Sequence, residues 1–372
     1  MIILSLTAVA WMAATLLLAW LPPRRLRLPL MVLSTVGFLA FKEPLSLAVM
    51  AAQTALTLWA LPRVGRQGWL TLAMVSLELA ALVAFKIRVD LIPGGNPAMP
   101  LGLSFTTFRQ VHLLVDAYSG RLPVHGRAET LAYLFFLPPL AVGPIHRFQA
   151  FLRDLRRRRF EAAQLGQGLE RILHGYAKLI ILRNLVIFPF LFPWVSTFGD
   201  GSFTGDVMTS LGQWIDLYIT FSGCSDVAIG FALAMGFRIQ ENFERPFLAR
   251  SLPDFWQRWH MSLTSWCRDY VFAPLTASTR KPYLGVAAAL VVLGLWHELS
   301  VRYVLWGFYH ALGILLWHQL VPRLKAALPQ GRWRAWTLRP LATAATLVFV
   351  VSSFAVTRRA DLLLKSALRH LL

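Results

Sequence analysis

Acidic residues are scarce in this chain, and charge of either sign is sparse. Asp and Glu number 18 against 37 Lys and Arg, a formal net charge of +19, and charged residues make up only 15% of the 372 positions. In a soluble protein such a balance would point to nucleic acid. Here the basic residues fall between long apolar runs, so they read as the positive-inside pattern facing anionic lipid headgroups, and nucleic acid is not an expected partner. There are two cysteines, Cys224 and Cys267, both in or beside apolar segments. Their spacing fits no disulfide framework or metal site, which leaves them as small buried hydrophobes. The chain has no Walker-type loop, no H-x-x-x-H and no G-x-S-x-G, so nucleotide hydrolysis and a metal centre find no support. It also has no internal repeat and no low-complexity linker.

What is abundant is apolar surface. Hydrophobic residues make up 56% of the chain, with 14 Trp and 25 Phe. Crossing a bilayer takes about 20 mostly apolar residues per helix. Only helices and closed barrels satisfy the backbone there, and the runs lack the strict alternation of barrel strands. The expected fold is therefore all-α and polytopic. Candidate spans are 2–20, 29–41, 44–61, 69–86, 101–118, 129–145, 172–194, 207–221, 225–237, 282–296, 301–320 and 338–356. Some are short, so about ten crossings are expected with re-entrant half-helices, 29–41 and 129–145 leading among them. No basic residues precede the first apolar run and Pro22-Pro23-Arg24-Arg25-Leu26-Arg27 follows it, which reads as a retained helix ending in the cytoplasm. Arg63 and Arg66 mark another cytoplasmic loop, and the six arginines between Arg147 and Arg159 the strongest one. The stretches 92–97 and 197–205 read as external turns.

Several polar residues sit inside or beside these runs. His297, in Gly294-Leu295-Trp296-His297-Glu298, lies between two apolar segments, where an imidazole needs a partner or a polar cavity. Between Phe255 and Tyr270 one helix is expected. Trp256, Trp259, Leu263, Trp266 and Tyr270 would share one face, and His260, Thr264 and Arg268 another, either lining a cavity or lying at the interface. Asp226, within Phe221-Ser222-Gly223-Cys224-Ser225-Asp226, needs a partner such as Arg238, Arg245 or a backbone N–H, and a structural hydrogen bond is its favoured role. Three prolines and a glycine break Pro138–Pro144. His146, next to the basic loop, reads as a solvated loop histidine.

Five segments in order resemble a known family. They are Pro100-Leu101-Gly102-Leu103-Ser104-Phe105, Val142-Gly143-Pro144-Ile145, Phe221-Ser222-Gly223 with Glu241-Asn242-Phe243, Arg258-Trp259-His260-Met261-Ser262-Leu263 with Arg268-Asp269-Tyr270, and Gly294-Leu295-Trp296-His297 with Leu305-Trp306-Gly307 and Tyr309-His310. Together they resemble the membrane-bound O-acyltransferases, in particular the bacterial branch that modifies cell-envelope polymers. The resemblance covers about Pro100 to Gly313, with residues 1–99 and 314–372 flanking this core in one membrane-embedded domain.

The resemblance implies tilted helices around a central funnel. It places His297 at the catalytic position and His260 at a second polar position. Trp296, Glu298, Asn242, Arg268, Asp269 and Asp226 become candidate substrate-binding residues. It implies no bound cofactor. The co-substrate would be acetyl-CoA, another acyl-CoA or an acyl-carrier thioester, presented in the cytoplasm of a bacterium whose inner membrane holds the chain. The acceptor would be a hydroxyl of an extracytoplasmic polysaccharide, or a relay protein. Imidazole suits the proton transfer because its ordinary pKa lies near neutrality. A transporter or flippase, and a non-catalytic scaffold of an export complex, also fit intramembrane polar groups and broken helices.

Overall fold

The computed structural model describes residues 5–65, 67–90, 100–327 and 333–371, so the expected turn at 92–97 lies outside the described residues. Helices account for nearly all of the regular structure. Among the described residues the only strand-like feature is an isolated antiparallel bridge between Phe243 and Trp259. The chain divides into two compact units, Met1–Ile180 with Phe221–Glu241, and Ile181–Thr220 with Asn242–Leu372.

In the first unit the helices are α1 (Leu6–Trp20), α2 (Arg24–Lys42), α3 (Pro44–Val64), α4 (Gly68–Asp90), α5 (Leu103–Tyr118), α6 (Arg127–Leu134), α7 (Phe148–Arg157) and α8 (Ala162–Tyr176). Helix α8 continues as a π-helical run, Ala177–Leu191, and then α9 (Phe192–Ser196), the residues from Ile181 on belonging to the second unit. Helix α5 is buried on almost every side. Its Arg109, fully buried, donates to the carbonyls of Tyr133 and Leu134 at 3.2 and 3.4 Å. Those are carbonyls that α6 leaves open at its C-terminal end. Inside the unit, Glu78 of α4 accepts from Gln53 of α3 at 2.7 Å, so that buried carboxyl is satisfied.

The expectation of a broken segment around Pro138–Pro144 matches the backbone, since α6 stops at Leu134 and no helix resumes before Phe148. Polar side chains satisfy the irregular stretch, as non-helical backbone at membrane depth requires. Tyr133 Oη donates to the His146 carbonyl at 2.6 Å, Gln240 Nε2 to the Ile145 carbonyl at 3.0 Å, and the Phe148 N–H to His112 Nε2 at 3.0 Å. His146 departs from expectation. It is buried against Tyr133, Phe136 and Phe151 rather than solvated, because the turn folds inward over the aromatic core. Segment 29–41 also differs from a half-helix. It belongs to the 19-residue α2, about 28 Å long at 1.5 Å per residue.

Helix α10 (Phe203–Ala234) merges two expected spans, 207–221 and 225–237, into 32 residues. Small residues around Asp226 do not break it; they let α8 approach. A Cβ on Gly175 would lie 2.7 Å from the Gly223 carbonyl, and one on Gly230 would lie 2.6 Å from the Gly168 carbonyl. This is the close backbone approach that small residues allow between membrane helices. Beside the crossing, Asp226 accepts from Arg171 at 3.0 Å and Lys178 at 2.5 Å, in place of the expected Arg238 or Arg245. Arg238 instead donates its backbone N–H to Asp154 at 2.9 Å.

The second unit holds the N-terminal half of α10, then α11 (Leu252–Arg258), α12 (Met261–Cys267), a π turn at Arg268–Phe272, α13 (Ala273–Thr279), α14 (Pro282–His297), α15 (Val301–Ala327) and α16 (Trp333–Leu371). Among the described residues six helices are long and apolar enough to cross a membrane, and α1 and α14 are shorter apolar helices. The chain is thus an all-α polytopic membrane protein. The six fall short of the expected ten because two spans merge in α10 and because α1, α5 and α14, at 15, 16 and 16 residues, are short for a crossing.

The α8–α10 crossing makes a stability prediction. Gly175→Val or Gly230→Val should lower the melting temperature in detergent by about 3 °C or more, since overpacking costs about 1–3 kcal/mol. Gly166→Ala, on the same helix with nothing within 4 Å of its Cβ, should leave it unchanged. Equal behaviour of all three would refute the close crossing.

Candidate active site

Residues 255–270 do not form the single amphipathic helix expected. The backbone breaks at Trp259-His260, between α11 and α12. His260 adopts the left-handed conformation, φ 44° and ψ 49°, rare for a non-glycine residue and about 1–2 kcal/mol unfavourable. Neighbouring backbone holds it there. The Met261 N–H donates to the Asn242 carbonyl at 2.9 Å, and the Glu244 N–H donates to the Arg258 carbonyl at 3.0 Å, on either side of the Phe243–Trp259 bridge. The fully buried Asn242 side chain adds a third tie, since its Oδ1 accepts from Ser262 Oγ at 2.6 Å. Trp259 is wedged among Trp214, Phe243 and Phe255, with ring centroids 4.8, 5.1 and 5.5 Å away.

His297 is the last residue of α14, and Glu298-Leu299-Ser300 turns the chain into α15. The two helices pack closely. A Cβ on Gly294 would lie 2.3 Å from the Tyr303 carbonyl, which leaves no room for a side chain. Aromatic rings surround His297: Trp296 at 4.7 Å, Tyr303 at 5.7 Å with planes 30° apart, and Trp306 at 5.8 Å edge-on. His260 meets the other side of this cluster, 5.6 Å from Trp296. The two histidines differ in exposure. His260 is 2% exposed, whereas His297 is exposed, contrary to the buried imidazole expected at that depth. The reason is its place at a helix end, where the turn leaves the ring uncovered. Burial, and after it the His297 imidazole, hold His260 well below the usual histidine range, so it is neutral near pH 7.

The structure thus brings together His297, Trp296 and His260, with Asn242 fixing the His260 turn and Glu298 adjoining His297. Arg268 and Asp269 pair with each other at 2.9 Å, with Arg268 largely exposed. Asp226 belongs to the first unit. Sequence reasoning left out Tyr303, Trp306 and His310, although the last two fall within a motif it singled out. His310 is fully buried, neither of its ring nitrogens has a hydrogen-bond partner, and it packs 4.6 Å from Trp306 and 5.2 Å from Trp256. The signal was spacing: Tyr303, Trp306 and His310 share one face of α15. No group of three or more metal-ligating side chains occurs among the described residues.

Chemically the arrangement offers an accessible imidazole against flat aromatic walls, with a neutral, rigidly held imidazole beside it. One ring can exchange a proton with a substrate, and the walls reduce access of water. Comparison with known proteins gives this constellation a context. The sequence model of the membrane-bound O-acyltransferase family matches residues 104–357. The chain is similar to the probable alginate O-acetylase AlgI of Pseudomonas aeruginosa, 29% identical across 93% of this chain and 69% of that protein. It is similar to the teichoic acid D-alanyltransferase of Bacillus subtilis, 29% identical across 65% of each. The peptidoglycan O-acetyltransferase of Helicobacter pylori is 26% identical across 58% of this chain and 47% of its own length.

The left-handed turn predicts an order among substitutions. His260→Asn should keep a near-wild-type melting temperature, since asparagine tolerates this backbone region. His260→Ile should melt several degrees lower, because a β-branched side chain does not. If the isoleucine variant is as stable as the asparagine variant, the turn is not as described.

Proposed function

We infer, from the premise that this chain belongs to the membrane-bound O-acyltransferase family, that it moves an acyl group, most simply acetyl, from a cytoplasmic thioester to a hydroxyl. The acceptor is a cell-envelope polysaccharide or a relay partner outside the membrane. The relatives support this choice by their names: a probable alginate O-acetylase, a peptidoglycan O-acetyltransferase and a teichoic acid D-alanyltransferase. The donor is acetyl-CoA or an acyl-carrier thioester, and the chain resides in a bacterial inner membrane.

The accessible His297 imidazole carries this reading. A thioester is already activated, so the remaining task is to take the proton from the acceptor hydroxyl as its oxygen attacks the acyl carbon. His297 accepts that proton. The C–O bond forms, the C–S bond breaks, and the thiolate leaves with the electron pair and is protonated by the imidazolium. Trp296 walls the thioester and limits hydrolysis. His260, neutral and fixed by the Asn242 turn, donates a hydrogen bond to the acyl oxygen as negative charge develops there. Glu298, the next residue in the chain, is assigned to stabilise the imidazolium. Asp226, Arg268 and Asp269 act through the ion pairs that hold them.

His297→Ala should abolish transfer while leaving expression and melting temperature near wild type, because the ring is exposed and little packing is lost. Loss of a general base typically lowers rates by about 10²–10⁴-fold, so activity above roughly a tenth of wild type in a purified transfer assay would rule out this role.

A further inference from the structure

The first unit carries a concentration of positive charge that acyl transfer at His297 does not use. Arg24 and Arg27 at the start of α2, and Arg156 and Arg158 at the end of α7, line one surface groove. Two of the four are held on a single indole. The Arg158 guanidinium lies 4.6 Å from the centre of the Trp20 ring and that of Arg27 lies 5.7 Å from it. Trp20 is itself fixed, donating from Nε1 to the Ala234 carbonyl at 2.9 Å.

The guanidiniums are also tied at their outer atoms. Arg158 donates to the Ala19 carbonyl and lies 3.0 Å from Met31 Sδ, while Arg27 Nε donates to the Pro22 carbonyl at 2.9 Å. Burial, and then the Arg27 guanidinium, pull the Arg158 guanidinium down to about 10, so these like charges face each other. One carboxylate, Glu129, accepts from both Nε and Nη2 of Arg156, at 3.0 and 3.1 Å, so Arg156 contributes charge to the groove while its fork is occupied. Among the described residues none pairs with Arg24, Arg27 or Arg158. Helix α2 adds to the imbalance. Its first turn holds arginines and no acid, the wrong sign for a helix N-terminus, whose free N–H groups attract anions.

Fixed cations of like sign are unfavourable unless a counter-charge joins them. The indole holds the Arg27 and Arg158 guanidiniums beside a groove that Arg24 and Arg156 also line, and guanidinium N–H groups suit phosphate oxygens. A simple positive-inside loop needs charge but not this arrangement. We propose that the groove formed by Arg24, Arg27, Arg156 and Arg158 around Trp20 is a binding site for a phosphoryl anion, borne by a soluble phosphoester or by the headgroup of an anionic lipid. The site does not depend on the transfer reading, and its test requires no turnover.

The test is thermal unfolding of the purified full chain in neutral detergent at low salt. Sodium pyrophosphate is titrated in one arm and phosphatidylglycerol, mixed into the detergent, in the other. A ligand that binds only the folded state raises the melting temperature with its concentration. Stabilisation by pyrophosphate alone identifies a soluble phosphoester site, by phosphatidylglycerol alone a lipid site, and by both a site for the phosphate group in either. In Arg24→Gln/Arg27→Gln the half-saturating concentration should rise at least about tenfold, given the strength of charge-assisted forks. It should stay near wild type in Arg153→Gln/Arg157→Gln, two exposed arginines of α7 that do not line this groove. Arg24→Gln alone, which removes an exposed side chain, should give a smaller shift and serves if the double variant does not fold. Absence of stabilisation by either probe, or equal weakening in the two double variants, would overturn the proposal.

Discussion

One short backbone pairing sets the geometry on which the site depends. The Phe243–Trp259 bridge, with hydrogen bonds from the Met261 and Glu244 N–H groups beside it, ties two non-helical segments together in a protein otherwise made of helices. Buried backbone polar groups must be satisfied, and here each segment satisfies the other. The result over-determines His260. A conformation that would be unfavourable in isolation becomes the only one compatible with the hydrogen bonds on both sides. Trp259, locked among three other rings, and Asn242, bonded to Ser262, keep the turn from relaxing.

His297 is held differently. No backbone strain fixes it; it stands at the end of α14, and rings from α14 and α15 limit its motion. The glycine at 294 makes this possible by letting α15 press against the last turn of α14. The contrast suits a division of labour between an imidazole that moves a proton and one held rigid to donate a hydrogen bond. His310, one turn further along α15, is fully buried against Trp306 with both ring nitrogens unpartnered.

Much of the helical layout could be read from apolar runs, because bilayer-length segments leave a strong signal. The merging of 207–221 and 225–237 into α10 could not: Gly223 and Asp226 look like a break, yet their neighbours Gly168, Gly175, Arg171 and Lys178 on α8 provide close packing and ion pairs that only the folded chain reveals. The break at His260 was hidden for the opposite reason. Residues 255–270 have good helical periodicity, and a long-range pairing with residues 242–244 overrides it. The motif order carried His260 and His297, but not the inward fold of His146 or the exposure of His297, which follow from where turns and helix ends fall.

The central claim is that an accessible His297 moves the proton while a buried, rigidly held His260 donates a hydrogen bond to the acyl oxygen. Chemical rescue tests it most directly. Free imidazole added to His297→Gly should restore part of the lost acyl transfer in proportion to its concentration, since the vacated position is open. The same addition should not restore His260→Gly, whose position is 2% exposed. Rescue of His260→Gly without rescue of His297→Gly would reverse the two roles and contradict the account.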